Sequence, residues 1–93
     1  MIKYVIVGAF KYKIIESDKM SDNGTIDCEK LNIFIESSMN KQVKRQTLWH
    51  ELMHAIMYEF GLPQSEHDEK LIDNIAHGVM QILRDNPELR KLP

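Results

Sequence analysis

Ninety-three residues can enclose one hydrophobic core and leave no room for a second, so residues 1–93 are expected to form a single domain. With 43% hydrophobic and 28% charged residues the composition is that of an ordinary globular protein, and no stretch approaches the roughly 20 apolar residues of a membrane span. Twelve basic against fourteen acidic side chains leave a net charge of −2, which excludes the electrostatic footprint of a nucleic-acid-binding protein.

From Ile2 to Ile15 the chain is rich in Val, Ile, Tyr and Phe, which favours extended structure. Its first ten residues are too short and too β-branched to act as a signal peptide. Residues 17–24 carry loop chemistry, and Asn23-Gly24 is a turn signal. Thr25–Cys28 and Leu31–Ile35 then read as two short strands joined by a turn near Glu29-Lys30. Cys28 is the single cysteine, so it closes no internal disulfide and builds no thiolate metal site. That usage points to a reducing, cytoplasmic compartment.

Ser37-Ser38 end the strand region, and Asn40 is placed to cap a helix running from Lys41 to Phe60. The basic run Lys41-Gln42-Val43-Lys44-Arg45 is too narrow for a phosphate-binding face and is read as a solvated helix start. Trp49, Leu52, Met53, Ile56 and Phe60 recur at spacings of three and four, giving one apolar face. Gly61 and Pro63 mark a firm stop. A second helix starting near Ser65 or Glu66 carries Leu71, Ile72, Ile75, Val79, Ile82 and Leu83, and Asn86-Pro87 ends it. The expected fold is α+β: a small three-stranded, mostly antiparallel sheet packed on two antiparallel helices.

Within the first helix, His50-Glu51-Leu52-Met53-His54 spells H-E-x-x-H. Histidines four apart lie about 40° from each other round a helix, so both imidazoles can converge on one zinc ion. Glu51, about 100° from His50, is too far round to be an obvious ligand and is placed as general base for a metal-activated water. Position 57 is methionine and position 60 phenylalanine, so the H-E-x-x-H-x-x-G-x-x-H extension is absent and a third ligand must come from elsewhere. If the helix pair turns about residue 63, His54 is level with Ile72 and His50 with Ala76, which puts the ligand near residues 73 to 77. Asp73 is the first choice, then Glu69, then His77, although each taken singly is ordinarily a solvated helix residue. Tyr58 and His67 are candidate donors to an oxyanion, against the plainer readings of a boundary tyrosine and a surface histidine. Met53, Met57 and Met80 are read as core filling.

Gly24 to Asp27, the strand Leu31 to Ile35 and the run Gln46 to Ala55 together resemble the ImmA/IrrE-type metallopeptidases, closest to the compact versions encoded by phages and mobile elements. The resemblance covers most of residues 24 to 85. Its acid three residues before an alanine corresponds to Asp73 and Ala76, with aspartate here where the family usually has glutamate. It implies a minimal zincin-like fold and peptide-bond hydrolysis in a protein substrate such as a repressor of a mobile element. The implied metal set is His50, His54 and Asp73 on zinc, with Glu51 catalytic. Expected partners are therefore a protein or peptide substrate, with no nucleic acid and no membrane. An extended substrate is expected to pair with an edge strand near Leu31 to Ile35. The rival reading is a catalytically inactive, zinc-containing interaction or regulatory module. The residues leave the substrate and the oligomeric state open.

Overall fold

The computed structural model describes residues 2–93, and the fold is α+β with a four-stranded mixed sheet and two helices. The strands are β1 (Tyr4–Val7), β2 (Phe10–Ser17), β3 (Gly24–Asp27) and β4 (Asn32–Glu36). They lie in the order β1-β2-β4-β3. The helices are α1 (Lys41–Glu59) and α2 (Glu69–Asp85), and short 3₁₀ turns occupy Gln64–Glu66 and Leu89–Lys91.

Four strands rather than three arise because the extended N-terminal segment folds back on itself. Gly8 takes φ 60° at the first of two turn positions, and Val7 then lies opposite Phe10 in an antiparallel hairpin. A glycine inside a β-branched run supplies that left-handed backbone without steric cost. The second departure is the parallel pairing of β2 with β4, from Lys13 opposite Asn32 to Ser17 opposite Glu36. Of β3 and β4, the more apolar takes the interior: Ile33 and Ile35 of β4 are fully buried. The more polar Gly-Thr-Ile-Asp strand β3 is left at the edge, antiparallel to β4. The segment around Leu31 to Ile35 is therefore interior, and the strand free to accept a partner on this side of the sheet is β3.

Helix α1 is the middle layer. Val7, Tyr12, Ile14, Ile33 and Ile35 of the sheet pack on Leu48, Leu52 and Ala55. On its other side, Met53 packs with Ile72 and Ala76 of α2, with Trp49 and Met57 closing the cluster. Being covered on two sides, α1 buries residues all round its middle turns: Thr47, Leu48, Glu51, Leu52, Met53, His54 and Ala55. The single apolar face expected through Ile56 and Phe60 is not the buried one, because both side chains are exposed.

The caps follow local sequence. The Asn40 side chain accepts from the Val43 amide at 3.0 Å. At the other end Gly61 takes φ 110°, its N–H donates to Tyr58 O at 3.2 Å, and the Leu62 N–H donates to Met57 O at 2.8 Å. That pair of bonds closes the helix in a Schellman motif. Helix α2 begins later than the sequence suggests, because Gln64–Glu66 forms its own turn and Asp68 caps α2 by accepting from the Leu71 amide at 3.1 Å.

Candidate metal centre

His50, Glu51 and His54 project from the middle of α1, and one potential ligand atom of each lies within 4.8 Å of the others. Glu51 and His54 are each only 6% exposed, while His50 is half-buried. They form the floor of an open cleft of about 700 Å³, bounded by β3, α1 and the start of α2.

The register between the helices decides which acid meets the histidines. Gln46, His50 and His54 face His77, Asp73 and Glu69 in turn, as in an antiparallel pair. His54 is thus level with Glu69 rather than Ile72, nearly one turn nearer the loop than a symmetric hairpin gives. The cause is the linker: the turn at Gln64–Glu66 packs back on α1, so α2 starts beside His54 instead of beyond Phe60.

Glu69 spans the two motif histidines. Its Oε2 lies 3.0 Å from His50 Nε2 and its Oε1 lies 2.9 Å from His54 Nε2. Asp73, expected to point at the ion, stands instead on the opposite nitrogen: its Oδ1 is 3.0 Å from His50 Nδ1. The aspartate is at the site, but on the side of the ring that faces away from His54. His77 is turned off the site, its Nδ1–H donating to Asp73 O at 2.7 Å and its Nε2 meeting the Gln46 amide.

The back of His54 is also occupied. Its Nδ1 lies 2.8 Å from His67 Nδ1, and His67 Nε2 lies 2.8 Å from the Leu62 carbonyl oxygen. Tyr58 does not line the cleft. Sequence reasoning placed His67 at the loop without finding this contact, since no helical spacing links residues on opposite sides of a turn. It also read Gly24 as a turn residue and as part of the stretch that carries the family resemblance, not as a point of close approach. A β-carbon there would lie 2.5 Å from Thr47 Cγ2 and 3.2 Å from Glu51 Oε2, so glycine lets the edge strand approach the floor of the cleft.

The electrostatics separate the three motif residues. Burial pushes the Glu51 carboxyl up to about 7; the neighbouring His50 opposes this, and Glu69 and Asp22 add to it. Burial alone would lower His50, but Asp73, Glu51 and Glu69 together hold it above the usual imidazole value. His54 is lowered, by burial first, with Glu69 opposing. A buried carboxyl poised near neutrality is suited to taking and returning a proton.

His50, Glu51 and His54 together could hold a metal ion; both imidazole Nε2 atoms also face the Glu69 carboxylate, and Asp73 stands against His50 Nδ1. Among the described residues no helix is long and apolar enough to cross a membrane. No protein-family model, curated protein or solved structure matches this chain.

Proposed function

We propose that the chain is a zinc-dependent peptidase of the H-E-x-x-H type, with His50, His54 and Glu69 as metal ligands and Glu51 as general base. The observation that carries this reading is the convergence of both histidine Nε2 atoms on the Glu69 carboxylate, beside a buried Glu51. Asp73, the acid favoured by spacing, takes the role of orienting His50 through its Nδ1–H.

His50, His54 and Glu69 would hold the zinc, which would supply Lewis acidity to a water and to the scissile carbonyl. Glu51 takes the proton of the attacking water and returns it to the leaving amine, which a pKa near the working pH favours. Asp73 holds the His50 ring so that Nε2 faces the cleft. Strand β3 leaves one backbone edge unpaired, and Gly24, Thr25 and Ile26 line the cleft above Glu51. That edge offers main-chain hydrogen bonds to an extended peptide, so the substrate class is a polypeptide bound by strand addition. The resemblance to ImmA/IrrE-type enzymes makes a repressor of a mobile element the first substrate to test.

One observation favours a second reading, a zinc-holding interaction module without catalysis. Among the described residues the apolar cluster between α1 and α2 is small, with Met53, Ile72 and Ala76 buried and Trp49 and Met57 partly buried against them, so an ion shared by the two helices would add materially to their docking. Metal content and cleavage of repressor-derived peptides, measured on wild type and Glu51→Gln, separate these readings. The peptidase reading expects about one zinc per chain in both proteins and cleavage by wild type alone. Zinc without cleavage in either, together with unfolding on chelation, supports the module. A wild type without metal after metal-replete purification overturns both.

A further inference from the structure

The sheet has two edges. One is β3, which bounds the cleft, and the other is β1, which takes no part in the proposed chemistry. Their side chains differ. Strand β3 carries Thr25 exposed and Asp27 half-buried, whereas β1 runs Tyr4-Val5-Ile6-Val7 with Tyr4 50% and Ile6 73% exposed. Proteins ordinarily blunt an apolar edge with a charge, a proline or a bulge, and β1 contains none of these.

The hairpin decides which main-chain groups are free. Gly8 and Ala9 form a two-residue turn, so Val7 and Phe10 close it as a hydrogen-bonded pair, and Val5 and Tyr12 form the next. The Ile14 N–H donating to Lys3 O at 2.8 Å continues the same alternation. The N–H and C=O groups of Tyr4 and Ile6 therefore point away from β2, and among the described residues no strand lies on that side. The side chains of Tyr4 and Ile6 stand on the sheet face that the helices leave open, where Lys11 Nζ lies 4.4 Å from the centre of the Tyr4 ring.

We infer that β1 is the interface through which two copies of this chain associate, Tyr4 pairing antiparallel with Ile6 of the second copy and Val5 lying on the two-fold axis. The occupant follows from self-complementarity. Outward groups must face outward groups, so only registers that set even positions against even positions form main-chain bonds. Of these, the register centred on Val5 alone pairs both Tyr4 and Ile6 of each copy within the regular strand Tyr4–Val7. It sets an aromatic against a β-branched side chain at both positions, a favoured cross-strand pair. The charges agree with it. Lys3 falls opposite Val7 of the second copy, and Lys11 and Lys13 lie on β2 behind Ile6 and Tyr4. Two apolar residues then separate the lysines of one copy from those of the other by about 14 Å, beyond the screening length. Phe60, exposed beside Gly8, extends the apolar edge at the turn. Both β3 edges, and so both clefts, stay open at the far ends of the joined sheet. A strand pair this short buries less than the ~1,200 Å² of stable specific complexes, so the expected dissociation constant is about 10⁻⁵ to 10⁻⁴ M.

Sedimentation velocity across a concentration series tests the association. Wild type and Glu51→Gln are expected to show the same monomer–dimer equilibrium, with or without chelator, because Glu51 lies in the cleft and not at β1; the interface therefore stands or falls apart from the peptidase reading. Ile6→Lys, at a solvent-exposed position, is expected to keep the wild-type circular dichroism and to weaken association at least about tenfold. Oxidative cross-linking reads the register. In Val5→Cys the two thiols face each other with Cα atoms about 4.5 Å apart, within disulfide reach, whereas Lys3→Cys and Tyr4→Cys each face a different residue and should stay uncross-linked. The native Cys28 is buried and stays out of the exchange. A wild type that is monomeric up to about 1 mM overturns the inference. So does an Ile6→Lys protein that dimerises as wild type does, or a dimer that Tyr4→Cys cross-links and Val5→Cys does not.

Discussion

Glu69 Oε1 lies 2.9 Å from His54 Nε2, joining the first residue of α2 to the second histidine of the motif. The same carboxylate reaches His50 Nε2 through its other oxygen at 3.0 Å, so one side chain tests the whole assignment. Glu69→Ala is expected to lose more than about 100-fold in zinc affinity, beyond what an outer partner contributes. Asp73→Ala, which frees His50 Nδ1, is expected to fall about 10- to 100-fold and still load at high zinc. His77→Ala should stay near wild type. Plasma mass spectrometry with chelator competition reads all three. A Glu69→Ala protein that retains full affinity while Asp73→Ala loses it would return the third position to Asp73.

Gly24 is held against the floor of the cleft by a contact that leaves no room for a methyl group. A β-carbon there meets Thr47 Cγ2 at 2.5 Å and Phe34 O at 3.1 Å, and both Thr47 and the β4 backbone are fixed by packing. Gly24→Ala is expected to destabilise by about 1–3 kcal/mol through overpacking. Adding Thr47→Ser removes the closer atom and should recover at least half of that loss. Denaturant titrations of the two single variants and the double measure the coupling, and additivity would show that the two positions do not touch.

Ile72 is fully buried and, with Ala76, packs α2 against Met53 of α1. Ile72→Ala is expected to cost about 2–5 kcal/mol and Ile72→Val about 0.5–1.5 kcal/mol. Because α2 brings Glu69 to the site, the alanine variant should also bind zinc more weakly, and added zinc should restore part of its stability by mass action. Thermal unfolding with and without zinc checks both statements.

Acid sensitivity has an identifiable source away from the cleft. The Ser38 amide first, then the Met20 amide at 2.7 Å and the Ser38 hydroxyl, donate to the Glu36 carboxylate and hold it below the usual carboxylate range. A depressed folded pKa means the contribution is fully present above the unfolded value and is lost as pH falls through the folded one. Glu36→Gln should therefore be less stable than wild type at neutral pH, with the gap closing as pH drops below the ordinary carboxylate range. A gap of constant size across that range would mean the stabilisation does not depend on the charge.

Much of the site was legible in the sequence because it is local. Four-residue spacing on a helix places two imidazoles on one side whatever the rest of the chain does, and His50, Glu51 and His54 do cluster. Asn40 and Gly61 signalled their caps for the same reason, each acting within one turn of its own position. The α+β class followed from a β-branched first half and a helical second half.

The tertiary structure decided everything that depends on which distant residues become neighbours. Gly8 splits the N-terminal run into a hairpin, and the burial of Ile33 and Ile35 draws β4 inward and leaves β3 as the edge. Asp73 and Glu69 are one turn apart on the same helix, so the sequence by itself ranks them on chain geometry alone. The difference between orienting His50 and bridging both Nε2 atoms is set by how far the linker folds back before Asp68 starts α2. That distance is fixed by the packing of residues 64–66 on α1 and of Ile72 on Met53, contacts between segments that no periodicity in either helix encodes.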